Sequence, residues 1–462
     1  MRRPNILLIH TDQQRWDALG ANGNREIKTP NLDALAAGGV NLDHYFVQNP
    51  VCMPSRMCLL TGQYPSTFGA LRNGVPLPED AVTLPRLLAP YGYRTANIGK
   101  LHFIPHACRD HRRAHPSYGF DHLEISDEPG DYEDAYRAWI RSVAPEELDR
   151  SCVGLSPAAG AWQEMMGMDD GIAHPQRGEE NPRPWPGRSD CTHTAFVAEQ
   201  TIEYLKTHRD RPFLCVSGFY APHSPWVVPQ EFLDLYDAAS LGVPEYPPEL
   251  QAQRGQRFSD DALGAARRGY YAAVSEVDHH VGRILKSLEE LGLEEQTIVI
   301  FTSDHGEWLG DHLRFAKGYP AHDPVSRVPF IVRWPGAGVT GGRTLDGICE
   351  SVDVMPTLLE WAGVQPPPHL QGRLLPVADD AVGGRPSALT EGVGWKTLRT
   401  RDWRYLLHSD GREMLFDLRQ PFGEYHDVSG EAAVADALGQ HRRELARRLI
   451  ERDLEGDRTA PY

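Results

Sequence analysis

The chain has 462 residues, 64 acidic against 47 basic, and a formal net charge of −17. That length is too great for one ordinary core and predicts a large domain with a smaller companion, while the negative charge argues against a nucleic-acid polyanion as partner. The 43 glycines and 37 prolines predict long ordered loops, and seven cysteines, scattered at 52, 58, 108, 152, 191, 215 and 349, do not read as a disulfide framework.

Met1-Arg2-Arg3-Pro4 leads directly into the apolar run Asn5-Ile6-Leu7-Leu8-Ile9-His10. The run is too short for a signal-peptide core or a membrane span. It reads as the first buried strand, of a cytoplasmic protein with no membrane partner, and ends at Asp12-Gln13. A helix over 29–37 follows, capped by Thr29 or Asn31, with Leu32, Leu35 and Ala36 at helical spacing. Next comes Val51-Cys52-Met53-Pro54-Ser55-Arg56-Met57-Cys58-Leu59-Leu60-Thr61-Gly62. Proline fixes its own φ, and Thr61-Gly62 is a helix stop. A helix from about Pro54 puts Cys52 just before an N-terminus, where free N–H groups and the dipole favour an anion. Arg56 adds a permanent charge one turn on.

A short helix over 84–91 and a strand over 95–98 lead to Gly99-Lys100-Leu101-His102. From about 104 to 190 periodicity dissolves into Pro, Gly, Asp and His, predicting an insertion that shapes a pocket mouth. A helix over 194–208 and a strand over 212–219 lead to Ala221-Pro222-His223. A long helix over 262–291 carries the stripe Val274, Val277, Val281, Ile284, Leu285 and Leu288. A strand over 297–302 runs into Asp304-His305, a further strand covers 329–333, and a helix over 353–363 ends in glycine. Beyond about 365 the texture changes to alternating segments at 403–407 and 414–418 and a charged helix over 431–452. Strands alternating with helices predict an α/β fold, a mostly parallel sheet sandwiched by helices. The expected division is 1–365 for the large α/β domain and 366–462 for a small antiparallel sheet plus helix.

Open α/β sheets bind ligands at the carboxyl ends of their strands. Four such ends carry polar residues: Asp12-Gln13, Lys100-x-His102, His223 and Asp304-His305. Asp12, Asp304 and the Gln13 amide are hard oxygen donors and His305 offers nitrogen, a set suited to one divalent cation. Taken singly, each has a plainer reading: a helix-capping Asp, a solvated Lys, a satisfied structural His. Cys52 alone leaves three accounts open, a buried structural cysteine, a thiolate nucleophile, or a metal ligand with Cys58.

Cys-x-Pro-Ser-Arg followed by Leu-Leu-Thr-Gly resembles the signature of the type I sulfatases of the alkaline phosphatase superfamily, close to the arylsulfatase and phosphonate monoester hydrolase branch. Met53 is bulkier than the residue usual at the variable position. Asp12-Gln13, Gly-Lys100-x-His102, Ala-Pro-His223, Asp304-His305 and Lys317-Gly are similar to further family motifs in the same order. The resemblance implies oxidation of Cys52 to formylglycine by a formylglycine-generating enzyme. It implies a metal held by Asp12, Gln13, Cys52, Asp304 and His305, calcium first, manganese or zinc as alternatives because of His305. Arg56 would orient the aldehyde hydrate. Lys100, Lys317 and His223 would bind sulfate and serve its leaving oxygen, His102 would take a proton, and Asn73 is placed as a substrate contact. The activity implied is hydrolysis of a small-molecule sulfate monoester, of a sugar, an aryl or a small alkyl alcohol. Phosphonate monoester or phosphodiester hydrolysis is the alternative, and a non-catalytic anion-binding protein is the reading from another class.

Overall fold

Every residue of Asn5–Thr11 (β1) is buried, a condition a strand meets only where its sheet is covered on both faces. The computed structural model, which describes residues 3–106, 113–167, 171–172, 174–178, 181–377 and 383–453, supplies that cover. Besides β1 the main sheet contains Val40–Leu42 (β2), Arg94–Gly99 (β3), His122–Ile125 (β4), Phe213–Gly218 (β5), Thr297–Ser303 (β6), Phe330–Arg333 (β7) and Arg343–Leu345 (β8). Among the described residues its order is β8-β2-β7-β6-β1-β5-β3-β4. The run from β6 to β4 is parallel, and β7 lies antiparallel to both β6 and β2.

Side chains alternate across the pleat. Ile6 and Leu8 face one core with Leu214, Val216, Ile298 and Ile300, against Cys52–Thr61 (α1) and Val354–Trp361 (α2). Leu7 and Ile9 face the other core with Cys215, Val299 and Phe301. That face is covered by Pro30–Gly38, His193–Thr207 and the long helix Asp260–Glu290. The stripe read from the sequence points there through Val277, Val281, Ile284 and Leu288.

Strands Ala388–Gly392, Trp395–Arg399, Trp403–His408 and Glu413–Asp417 form a separate antiparallel sheet. Leu389, Leu398, Tyr405 and Leu415 join Leu438 and Leu445 of the last helix, Ala435–Ile450, in one core that also takes Cys58 and Tyr64. That helix begins four residues later than predicted, after a 3-10 turn at Ala432–Val434.

Three further expectations change. The irregular stretch from 104 to 190 contributes β4 to the edge of the main sheet and carries helices at Ala135–Val143 and Pro157–Met166. The edge strand is only partly buried, so it lacks a clean alternation. The Pro30–Gly38 helix is capped from outside: the Asp278 carboxylate accepts from Asn31 N–H at 3.3 Å and Leu32 N–H at 2.8 Å, and Thr29 forms no side-chain cap. Helix α1 starts at Cys52 itself, because proline fits within a first turn, and it stops at Gly62 with φ 63° as expected. No helix among the described residues is long and apolar enough to cross a membrane.

Candidate active site

Strands β6, β1, β5 and β3 are parallel neighbours, with Ser303 beside Thr11, and both His10 and Gly99 beside Gly218. Their carboxyl ends therefore lie along one edge, and the residues that follow them meet there. Gly218 permits a close approach: a Cβ on it would lie 2.1 Å from the Lys100 carbonyl oxygen. Lys100 turns back from β3 so that its Nζ lies 2.9 Å from Asp12 Oδ2 and 4.7 Å from the centre of the Tyr220 ring.

Helix α1 delivers Cys52 to this edge in its first turn. The Cys52 Sγ lies 3.2 Å from His305 Nε2, 3.8 Å from Asp12 Oδ1 and 2.8 Å from Lys317 Nζ. Arg56 locks the helix to the strand ends. Its Nε donates to Asp304 Oδ2 at 2.7 Å, one Nη to the Lys100 carbonyl at 3.0 Å and the other to the Thr11 carbonyl at 3.3 Å. Ser55 Oγ donates to the Asp304 carbonyl.

Asp12, Cys52, Asp304 and His305 are all buried, and each offers a donor atom within 4.8 Å of the others. Gln13, at φ 72°, donates its backbone N–H to Asp304 Oδ1 and its side-chain N–H to Glu307. Its side-chain oxygen has no hydrogen-bond partner among the described residues. Buried carboxylates converging beside an unsatisfied amide oxygen fit a divalent cation. The His305 Nδ1 sits 2.8 Å from the Gly306 carbonyl, which can only accept. Nδ1 thus carries the hydrogen and Nε2 is left bare, the form a metal ligand takes.

His223 follows the same logic. Its Nδ1 is 2.5 Å from the Ser224 carbonyl and its Nε2 accepts from Lys317 Nζ at 2.8 Å. Burial, then the Lys317 charge, lowers the His223 pKa. Burial alone would lower Lys317 as well, but Cys52 and Asp12 outweigh it and hold the ammonium above its ordinary range. The proton of this pair accordingly resides on Lys317. Burial would raise Asp12, yet Lys100, Lys317, His223 and Arg56 together hold it well below the carboxylate range.

Lys100 and His102 do not continue the strand that precedes them. β3 ends at Gly99, and His102 has φ 55°. Asp127 accepts the backbone N–H of both Leu101 and His102 at 2.9 Å and holds this turn. The His102 ring lies 4.8 Å from the His106 ring, and burial followed by Lys100 and His106 keeps it well below the usual imidazole range. Asn73 is exposed, and its Oδ1 accepts from Met53 N–H at 3.1 Å, in the first turn of α1.

Sequence reasoning passed over several neighbours. Glu128 Oε1 lies 3.9 Å from Lys100 Nζ, and Arg177 reaches both Glu128, at 3.8 Å, and the Tyr220 hydroxyl, at 2.9 Å. Both sit in the aperiodic insertion, where no local pattern marks them. Glu307, three residues past Asp304, had a signal in its spacing. Its burial raises it to about 7. Arg56, Lys100, Lys317 and Arg177 thus face Asp12, Asp304 and Glu128, a local excess of one positive charge in a protein of net −17.

A family model described as Sulfatase matches residues 4–364. An arylsulfatase of Clostridium perfringens is 33% identical over 393 residues, spanning 80% of this chain and 77% of that protein. An N-acetylglucosamine-6-O-sulfatase of Bacteroides thetaiotaomicron is 27% identical over 487 residues, covering 94% and 84%. The crystal structure of a phosphonate monoester hydrolase of Agrobacterium radiobacter superposes with a TM-score of 0.80 at 25% identity, covering 97% of this chain and 96% of that one.

Proposed function

The chain belongs to the sulfatase family, and from that premise we propose that it hydrolyses a sulfate monoester to alcohol and sulfate, with Cys52 as the precursor of its nucleophile. The observation that carries this reading is the ring of charge around Cys52, with Lys317, His305 and Asp12 all within 4 Å of its sulfur or of one another's donor atoms. Oxidation of Cys52 to formylglycine by a maturation enzyme would supply a hydrated aldehyde as nucleophile. A cation held by Asp12, Gln13, Asp304, His305 and residue 52 would supply positive charge to the sulfate oxygens. Calcium is the cation proposed, since the oxygen donors outnumber the nitrogen; manganese or zinc is the alternative.

The remaining work falls to side chains. Lys100 and Lys317 offset the charge of the non-bridging oxygens. The Lys317–His223 pair holds the proton that the leaving oxygen takes. His102, kept neutral by burial and by Lys100, accepts the proton whose loss releases sulfate. Arg56 fixes α1 against Asp304 and so sets where residue 52 points. Asn73 contacts the substrate from the rim of the pocket. The catalytic unit is residues 1–365 and the C-terminal subdomain 366–462.

Cys52→Ser should abolish turnover of an aryl sulfate while leaving the fold intact; full activity in that variant would end this reading. Intact mass is an independent check, since a thiol converted to an aldehyde lightens the chain by about 18 Da. Phosphonate monoester hydrolysis is the second reading, favoured by the superposition on the Agrobacterium enzyme. Parallel kcat/KM measurements on aryl sulfate and aryl phosphonate esters separate the two.

A further inference from the structure

We propose that Asp131, Cys152 and His174 form a second cation site, suited to zinc, outside the site described above and independent of its chemistry. The Cys152 Sγ lies 3.6 Å from Asp131 Oδ1 and 3.3 Å from His174 Nδ1. One donor atom from each residue lies within 4.8 Å of the other two. A tetrahedral zinc ion with bonds of about 2.0–2.3 Å spaces its ligand atoms by about 3.3–3.8 Å, so the cluster already has nearly the required spacing. Asp131 and Cys152 are buried at 1% and 4% exposure. Thiolate, imidazole and carboxylate together select a borderline-soft ion over calcium or magnesium, and the two anionic ligands neutralise a divalent charge.

The surroundings are those of a ligand shell. Ser156 N–H donates to the second Asp131 oxygen at 2.8 Å, and Gly154 N–H donates to the Cys152 sulfur at 3.3 Å. The Gln163 side-chain amide lies 3.3 Å from His174 Nε2, the ring nitrogen that faces away from the sulfur; a turn of the amide that brings its oxygen there would accept the Nε2 hydrogen and leave Nδ1 to the ion. A Cys–His–Asp relay does not fit, because the carboxylate bonds the sulfur rather than the far ring nitrogen.

Three chain segments meet here backbone to backbone. A Cβ on Gly130, at φ 74°, would lie 2.6 Å from Cys152 Cα, and one on Gly154, at φ 124°, would lie 2.8 Å from Arg177 Cα. Bulkier residues at those two positions would hold the segments apart. A metal cross-link is a recurrent means of ordering chain that has little apolar core of its own. Its consequence reaches the main pocket. Glu128 and Arg177, each three residues from a ligand, line the wall beside Lys100. The bound ion would brace that wall.

The test uses the full chain carrying Cys52→Ala, freed of metal by chelator and titrated with zinc or with cobalt(II). Elemental analysis gives stoichiometry, and cobalt gives a thiolate charge-transfer band. Adding Cys152→Ser should remove the band and weaken one equivalent of zinc by at least about 100-fold. Adding Asp12→Asn instead should leave the band unchanged. Should Cys152→Ser fold poorly, His174→Gln at the less buried ligand provides the same comparison, with far-ultraviolet circular dichroism as the check on folding. Absence of the band, its survival in Cys152→Ser, or zinc affinity equal in both backgrounds would overturn the site. The Asp12→Asn arm reads the other centre separately, so such a result leaves the sulfatase reading standing.

Discussion

Arg56 shows how one side chain ties several elements to the helix that begins at Cys52. It is 2% exposed and spends its donors on Asp304 and on the Lys100 and Thr11 carbonyls. Removing it leaves the buried Asp304 carboxylate, and Asp12 at 3.5 Å, short of a partner, and breaking such a pair costs about 3–5 kcal/mol. Arg56→Ala should therefore lose about that much stability in denaturant titration. Arg56→Lys keeps the charge but cannot span three acceptors, so it should fold and yet lose kcat. Lys317→Ala removes an ammonium that touches both Cys52 and His223. Its kcat on an aryl sulfate should fall by about 10²–10³-fold, and a KM effect alone would contradict a role at the leaving oxygen.

At the scale of elements, the packing of the two long helices on the sheet has a titratable joint. Glu276, in Asp260–Glu290, accepts from the Thr192 hydroxyl at 2.6 Å, and Thr192 also caps His193–Thr207. Burial raises this carboxyl from 4.5 to about 7. Its folded form thus holds a proton that the unfolded chain releases between those values. The stabilisation is present below pH 4.5 and is lost as pH rises toward 7. Glu276→Gln keeps the neutral shape at every pH. The variant should gain on the parent between pH 5 and pH 8, by up to about 3 kcal/mol. Parallel stability curves in the two proteins would reveal a carboxyl that stays charged throughout. Two residues on, Asp278 of the same long helix places the external cap on Pro30–Gly38, so one helix completes the hydrogen bonding of another distant in sequence.

Over the whole molecule, the C-terminal sheet and helix are bound to Tyr64 and to the short strand Cys349–Glu350 through charge as well as apolar contact. Arg448 donates to both Glu350 oxygens, at 2.8 and 2.9 Å, and to the Tyr64 hydroxyl at 2.5 Å, while Arg385 reaches Glu350 at 2.9 Å. Arg448→Met should destabilise the entire chain by about 3–5 kcal/mol in one unfolding transition. Two separated transitions, only the C-terminal one shifted, would mean that the two parts fold independently. The same sheet meets the loop that carries Lys317: Tyr319, two residues on, packs its ring 5.6 Å from Trp395 and bonds His408 at 2.8 Å. Cation removal should register globally too. A chelator should lower Tm, and calcium at 100 times its Kd should restore about 2.7 kcal/mol.

The strand ends were legible because each apolar run stops on a polar residue, and parallel neighbours in an open sheet bring such residues to one edge whatever the details of packing. Period and composition thus determined the α/β sandwich, the separate antiparallel sheet, and the meeting of Asp12, Lys100, His223 and Asp304-His305. Glu128, Arg177 and Tyr220 were not legible, nor was the edge strand His122–Ile125, since a partly exposed strand and coil carry no period to read. Nor could local pattern foretell that Asp278 caps a distant helix, that Asp127 holds His102 in a left-handed turn, or that Lys317 keeps the proton it shares with His223. Those outcomes depend on which charges burial forces together. Apolar spacing along a chain sets where elements form, but the field at a buried atom is a sum over neighbours that only the folded arrangement supplies.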